Sequence, residues 1–76
     1  MGTNTMLWDK DLTASCKAGK IREIAIYDRY SNTAEATPYF VVWGWFNSEE
    51  HFNFGTFDSK NAALTFVENL HNYIAS

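Results

Sequence analysis

Apolar and aromatic residues crowd one stretch of the chain, from Tyr39 to Phe57. There Tyr-Phe-Val-Val-Trp-Gly-Trp-Phe and His-Phe-Asn-Phe-Gly-Thr-Phe flank the polar break Asn-Ser-Glu-Glu at residues 47–50. β-Branched and aromatic residues on both sides of a short polar break predict a β-hairpin. With residues 47–50 as the loop, Phe46 opposes His51, Trp45 opposes Phe52 and Trp43 opposes Phe54. Side chains alternate along a strand, so one face is expected to carry Tyr39, Val41, Trp43, Trp45, Phe52 and Phe54. The other is expected to carry Phe40, Val42, Phe46 and Phe57, thinned by Gly44 and Gly55. Both faces are then apolar, whereas an antiparallel hairpin in a small protein ordinarily turns one polar face to water. A partner, a second subunit or the rest of the chain is needed to cover the second face. Glycines inside strands, as Gly44 and Gly55 are here, mark a bulge or the close packing of a large neighbour.

Downstream the period changes. Ala63, Phe66, Val67, Leu70, Tyr73 and Ile74 follow the spacing of one helical face, with Asn61, Thr65, Glu68, Asn69 and Asn72 on the other. This predicts a helix over about 59–74, with Asp58 or Ser59 as its N-cap and its apolar stripe on one face of the sheet. Upstream, residues 21–30 alternate with Ile24 and Ile26 on one face and Ala25 and Tyr27 on the other, which reads as a strand. A helix is the competitor, because Ile21, Ile24 and Ala25 also fit its period. Residues 17–20 form an expected turn around Gly19, with residues 12–16 as the preceding strand of a second hairpin. Residues 31–38 read as a loop, and Pro38 holds Thr37 extended at the entry to the aromatic strand. The predicted architecture is α+β: a small antiparallel meander of three to four strands with one C-terminal helix packed on one face.

Seventy-six residues make a single domain, 1–76, with residues 1–5 as a candidate disordered extension and Met6 as a candidate natural start. A chain of this size buries a thin core, and oligomerisation is a common supplement. Cys16 is the sole cysteine, so no internal disulfide can form, and a reducing, cytoplasmic setting is expected. The first residues show no basic region leading into a long apolar run, so neither a signal peptide nor a membrane anchor is expected.

Charge and chemistry narrow the function. Six Lys and Arg stand against nine Asp and Glu, a net charge of −3. A phosphate-binding surface needs a concentration of positive charge, and the cluster on offer is Lys17, Lys20, Arg22 and Arg29. Glu49, Glu50 and His51 place three metal-ligating side chains beside one turn, but successive strand residues point to opposite faces, so no metal site is expected. His51 and His71 read as surface or half-buried histidines, and Cys16 as a small core residue or partly exposed thiol. No nucleophile, base and orienting group share a motif, and no Gly-rich phosphate loop is present; no enzymatic activity and no cofactor are expected.

The run from Tyr39 to Trp45, then Gly55-Thr56-Phe57-Asp58-Ser59 and the helix with Ala63 and Phe66, resembles the layout of a WGR domain, a small nucleic-acid-associated module. The resemblance covers about half the chain and implies a strand pair leading into a C-terminal helix. Trp45 stands where that family has its defining arginine, and His71-Asn72-Tyr73 replaces its basic helix end, so no site residue carries over.

The reading that fits these features is a non-catalytic, intracellular protein-binding module, a stoichiometric inhibitor or adaptor such as phages and mobile elements encode against host complexes. Its expected partner-binding residues are Phe40, Val42, Phe46, Glu49, Glu50 and Phe57. The partner is expected to be a protein, one with a basic surface if charge steers the encounter, and a homodimer is expected. The alternative is a nucleic-acid binder that stacks bases on exposed aromatics and sets the residue 17–29 cluster against phosphates.

Overall fold

The computed structural model of the chain describes residues 5–30 and 37–75. Its elements in order are β1 (Met6–Trp8), β2 (Ser15–Lys17), a 3-10 turn (Ala18–Lys20), β3 (Glu23–Tyr30), β4 (Pro38–Trp45), β5 (His51–Phe57) and α1 (Lys60–Ala75). Strands β3, β4 and β5 form an antiparallel meander, and β1 with β2 makes a separate two-stranded ribbon. The predicted α+β architecture is present, with the helix against the meander. The expected N-terminal extension lies outside the described residues apart from Thr5, whose carbonyl accepts the Ala18 amide at 2.8 Å. Residues 31–36 of the expected loop lie outside them as well. No helix among the described residues is long and apolar enough to cross a membrane.

The helix begins one residue later than expected, after a working N-cap. Ser59 Oγ accepts the Ala62 amide at 3.1 Å, and the Ser59 carbonyl accepts the Ala63 amide at 3.2 Å. One of the amides left unpaired at a helix start is thereby satisfied by a side chain. Ser59→Ala should lower stability by about 1 kcal/mol, read as a shift of the thermal midpoint in circular dichroism. Ala63, Val67 and Leu70 are buried along the predicted stripe, with Phe66 and Ile74 packed beside them. Tyr73 departs from the stripe and stays 47% exposed.

The second expected hairpin is replaced. Residues 15–17 pair with β1 rather than with β3, in the register Met6 to Lys17, Leu7 to Cys16 and Trp8 to Ser15. Leu7 and Cys16 face each other and are both buried, so the pairing is driven by a shared place in the core. The connecting loop is organised by Asp9, whose carboxylate accepts the Thr13 amide and hydroxyl at 2.8 Å each. Leu12 takes a left-handed φ of 59° there, a conformation that a leucine adopts only where the surrounding bonds impose it. The 3-10 turn over residues 18–20, closed by the Ile21 amide on the Ala18 carbonyl at 3.1 Å, then redirects the chain into β3. Residues 23–30 resolve to strand rather than helix because β4 supplies a full antiparallel ladder, from Glu23 opposite Trp45 to Tyr30 opposite Pro38.

The register of the aromatic hairpin differs from the expected one by a single residue. Phe40 opposes Phe57 and Val42 opposes Gly55, as expected, but Trp43 opposes Asn53, Gly44 opposes Phe52 and Trp45 opposes His51. Phe54 is the extra residue, a β-bulge. Gly55 beside it has φ of +138°, which an L side chain rarely adopts, and Asn53 Oδ1 accepts the Gly55 amide at 2.9 Å.

The bulge changes the face assignment. Phe52 and Phe54 sit at even positions and Phe57 at an odd one, so strict alternation puts them on opposite faces. One inserted residue brings all three to the same side, where Phe54 packs its ring at 4.9 Å from Phe52 and 5.9 Å from Phe66, and Phe57 lies 5.2 Å from Phe66. The core therefore gathers Leu7, Cys16, Val42, Phe54, Ala63, Val67 and Leu70 between the sheet, the helix and the ribbon. Phe40, Phe46 and Phe57 pack against it half-buried. The face expected to need a partner is the one that the helix and ribbon cover.

Candidate functional site: the open aromatic face of the sheet

With the helix and ribbon on one side, the opposite face of the meander carries the odd-numbered residues of β3 and β4 and, across the bulged register, His51 and Asn53 of β5. No element among the described residues covers it. At its centre Trp43 stacks on His51, with ring centroids 3.9 Å apart and planes 21° from parallel. Tyr27 stands 5.2 Å away on β3, and Trp45 meets Trp43 edge-on at 5.7 Å. Trp45 Nε1 donates to Tyr27 Oη at 2.8 Å, locking the two rings across the strands. The Arg29 guanidinium lies over Tyr27 and Trp43, at 5.5 and 5.6 Å from their centroids, and donates through Nη1 to the Asp28 carbonyl at 3.1 Å. Val41, opposite Tyr27, is buried on this side although it is not part of the main core cluster.

One donor in this cluster is unsatisfied: Trp43 Nε1 is buried and has no hydrogen-bond partner. A buried polar group without a partner is an expense that native structures rarely tolerate without a reason. Beside the cluster, Arg22, Glu23, Tyr27, Trp45, Asn47 and Ser48 line an open depression of about 420 Å³. The hairpin tip that borders it is held by Asn47, whose Oδ1 accepts the Glu49 and Glu50 amides at 2.8 Å each.

The expected partner-binding set is thus split by the structure. Val42 is fully buried in the core, and Phe40, Phe46 and Phe57 are packed against it, so these four do not present an open face. Glu49 and Glu50 are exposed at the tip, as their loop position implied. The residues that the open face brings together, Tyr27, Arg29, Trp43, Trp45 and His51, were not grouped by the sequence pattern. The available signal was Gly55 inside a strand, which marks a bulge or the close packing of a large neighbour; a bulge there, carried through the register, moves His51 opposite Trp45.

The basic cluster does not converge. Lys17 is on β2, Lys20 in the 3-10 turn, Arg22 just before β3 and Arg29 near its far end. Seven strand steps separate Arg22 and Arg29, roughly 23 Å at about 3.3 Å per residue. Among the described residues no three His, Cys, Asp or Glu side chains gather where a metal ion would bind. Burial pushes the Cys16 thiol up from its ordinary value, which keeps it protonated and a poor nucleophile. At Asp9 partial burial pushes the carboxyl up, but the hydrogen bonds from Thr13, Ala14 and Leu12 together outweigh it and hold the group below its ordinary value. Its contribution to the ribbon loop is present above the ordinary carboxylate range and is lost as pH falls through that lowered value.

No family model, no curated protein and no solved structure matches this chain.

Proposed function

We propose that the protein is a non-catalytic protein-binding module, a stoichiometric inhibitor or adaptor acting in the cytoplasm, that recognises its partner through the open sheet face. The observation that carries this reading is the interlocked cluster of Tyr27, Trp43, Trp45, His51 and Arg29 on the side that the helix and ribbon leave uncovered. Trp, Tyr and Arg are the residues that concentrate binding energy at the centres of protein interfaces. Rings locked to one another before binding also lose little conformational freedom on binding. Glu49 and Glu50 at the adjoining tip supply a negative rim that steers a partner with a basic surface. A homodimer is also part of this reading, since a chain of this size gains from association.

Nucleic-acid binding is the second reading, favoured by Arg29 on the same face. Base stacking needs an accessible ring face, however, and His51 already occupies one face of Trp43 at 3.9 Å.

His51 is exposed and its truncation leaves the core untouched, so His51→Ala tests the face with little risk to the fold. Surface plasmon resonance against the partner recovered by affinity capture should show binding weakened about tenfold, with the melting temperature almost unmoved. Glu49→Gln with Glu50→Gln should slow association at low salt and leave dissociation nearly unchanged. Unchanged affinity for His51→Ala would remove the open face from the reading. Saturable, salt-sensitive binding to a mixed oligonucleotide, lost in Arg29→Ala, would put nucleic acid in the partner's place.

A further inference from the structure

We propose that the outer edge of β3 is a self-association surface, on which a second copy of this chain adds its own β3 antiparallel to make one continuous sheet. The inference rests on the self-association included in the function above; it shares Arg29 with the aromatic face but needs no partner seated on that face.

The meander has two edges, β3 and β5, and the fold treats them differently. The β5 edge is obstructed. It carries the Phe54 bulge, the Lys10 amide donates to the Phe54 carbonyl at 2.7 Å, and Lys10 Nζ donates to the Thr56 carbonyl. The ribbon loop therefore takes the place of a further strand. By contrast β3 runs eight residues without a register shift, and no strand among the described residues pairs with its outer side. A long regular edge is a template for another strand unless something blocks it.

The charges along β3 select a second copy as the occupant. Antiparallel pairing of identical strands about a two-fold axis sets each residue opposite the one equally far beyond the axis, and the sheet faces match only if opposed residues share a face. With the axis at Ile26, Glu23 faces Arg29 of the second copy, Ala25 faces Tyr27, and Ile26 faces Ile26. The two-fold repeats the Glu23 to Arg29 pair on the other side. A shift of the axis by half a residue would oppose Arg22 to Arg29 and Glu23 to Asp28, like charge to like. Opposite charges directly across a strand pair are favourable and like charges unfavourable, so β3 is self-complementary in this register. Ile26 is half-buried at the margin of the core and would gain its own copy as a neighbour. The pairing would also place the two Tyr27 and Trp43 clusters on one side of the extended sheet, doubling the aromatic platform.

Sedimentation equilibrium of the full chain from micromolar to submillimolar concentration tests the proposal. The expected result is a monomer–dimer equilibrium. Glu23→Arg or Arg29→Glu alone should weaken it about tenfold or more, because each sets two like-charged pairs across the axis. An equimolar mixture of these two variants should associate again as a heterodimer. Hydrogen exchange of the unmodified protein gives a second measurement that does not depend on the variants folding: amides of β3 should gain protection as concentration rises while those of β5 do not. A monomer at every concentration overturns the proposal. So does a dimer that ignores both charge reversals, or one whose concentration-dependent protection falls outside β3. Because the aromatic-face reading is tested by His51→Ala against the recovered partner, either proposal can fail while the other stands.

Discussion

Phe54→Ala is expected to be the most damaging single truncation in the chain, removing about 3–5 kcal/mol of stability. Phe54 is fully buried, and its ring is the contact through which β5 meets both Phe52 on its own strand and Phe66 on the helix. Truncating a buried Phe to Ala costs about 3–5 kcal/mol, from lost transfer energy and from the cavity left behind. A chain of this length has roughly 4–11 kcal/mol of stability in total, at about 0.05–0.15 kcal/mol per residue. The loss therefore amounts to between about a quarter and all of what holds the fold. Urea denaturation followed by far-ultraviolet circular dichroism checks it. A midpoint close to that of the unsubstituted protein would mean that the bulge does not deliver Phe54 to the core and that the face assignment is wrong.

Gly44→Ala should be the second most damaging change, although it adds only a methyl group. A Cβ at this position would lie 2.8 Å from Phe54 Cε2 and 3.0 Å from Ile21 Cδ1. Phe54 is enclosed and has little room to withdraw, whereas half-buried Ile21 meets the added methyl only through the end of its side chain. Overpacking of this kind costs about 1–3 kcal/mol. The mechanism can be separated from a general loss of strand quality by pairing the change with Phe54→Leu, whose shorter side chain vacates the space above residue 44. In that background Gly44→Ala should cost markedly less, a non-additivity expected only of residues in direct contact. Equal costs in both backgrounds would show that the glycine is not there to admit the ring.

The two positions are halves of one arrangement. Phe54 reaches the core because β5 carries one residue more than β4 at that point, and it fits there because β4 presents a glycine beneath it. The consequence for function is that Trp43 and Trp45 lie on the opposite face, against Tyr27, His51 and Arg29. A mutation at Gly44 or Phe54 is thus predicted to act on stability, whereas one at His51 acts on recognition.

The sequence by itself determined those parts of the protein that depend on neighbours close along the chain. The 3.6-residue stripe and Ser59 located the helix to within a residue, since capping and amphipathic spacing are local properties. Composition and the polar break at residues 47–50 located β4 and β5, and both glycines were readable as a bulge or a close approach. What only the tertiary structure decided was which side of the hairpin became the inside. Strand alternation has a period of two, so a single inserted residue inverts every assignment beyond it. The insertion at Phe54 is held by groups far away in sequence: the Lys10 amide on the Phe54 carbonyl, Lys10 packed over Gly55, and Phe66 on the helix. The pairing of β2 with β1 rather than β3 was likewise settled by Leu7 and Cys16 finding a common place in the core. The open aromatic face follows from both decisions, because it is the surface left over once the bulge has turned Phe52 and Phe54 to the inner side beside Phe57 and the ribbon has closed the core beneath them.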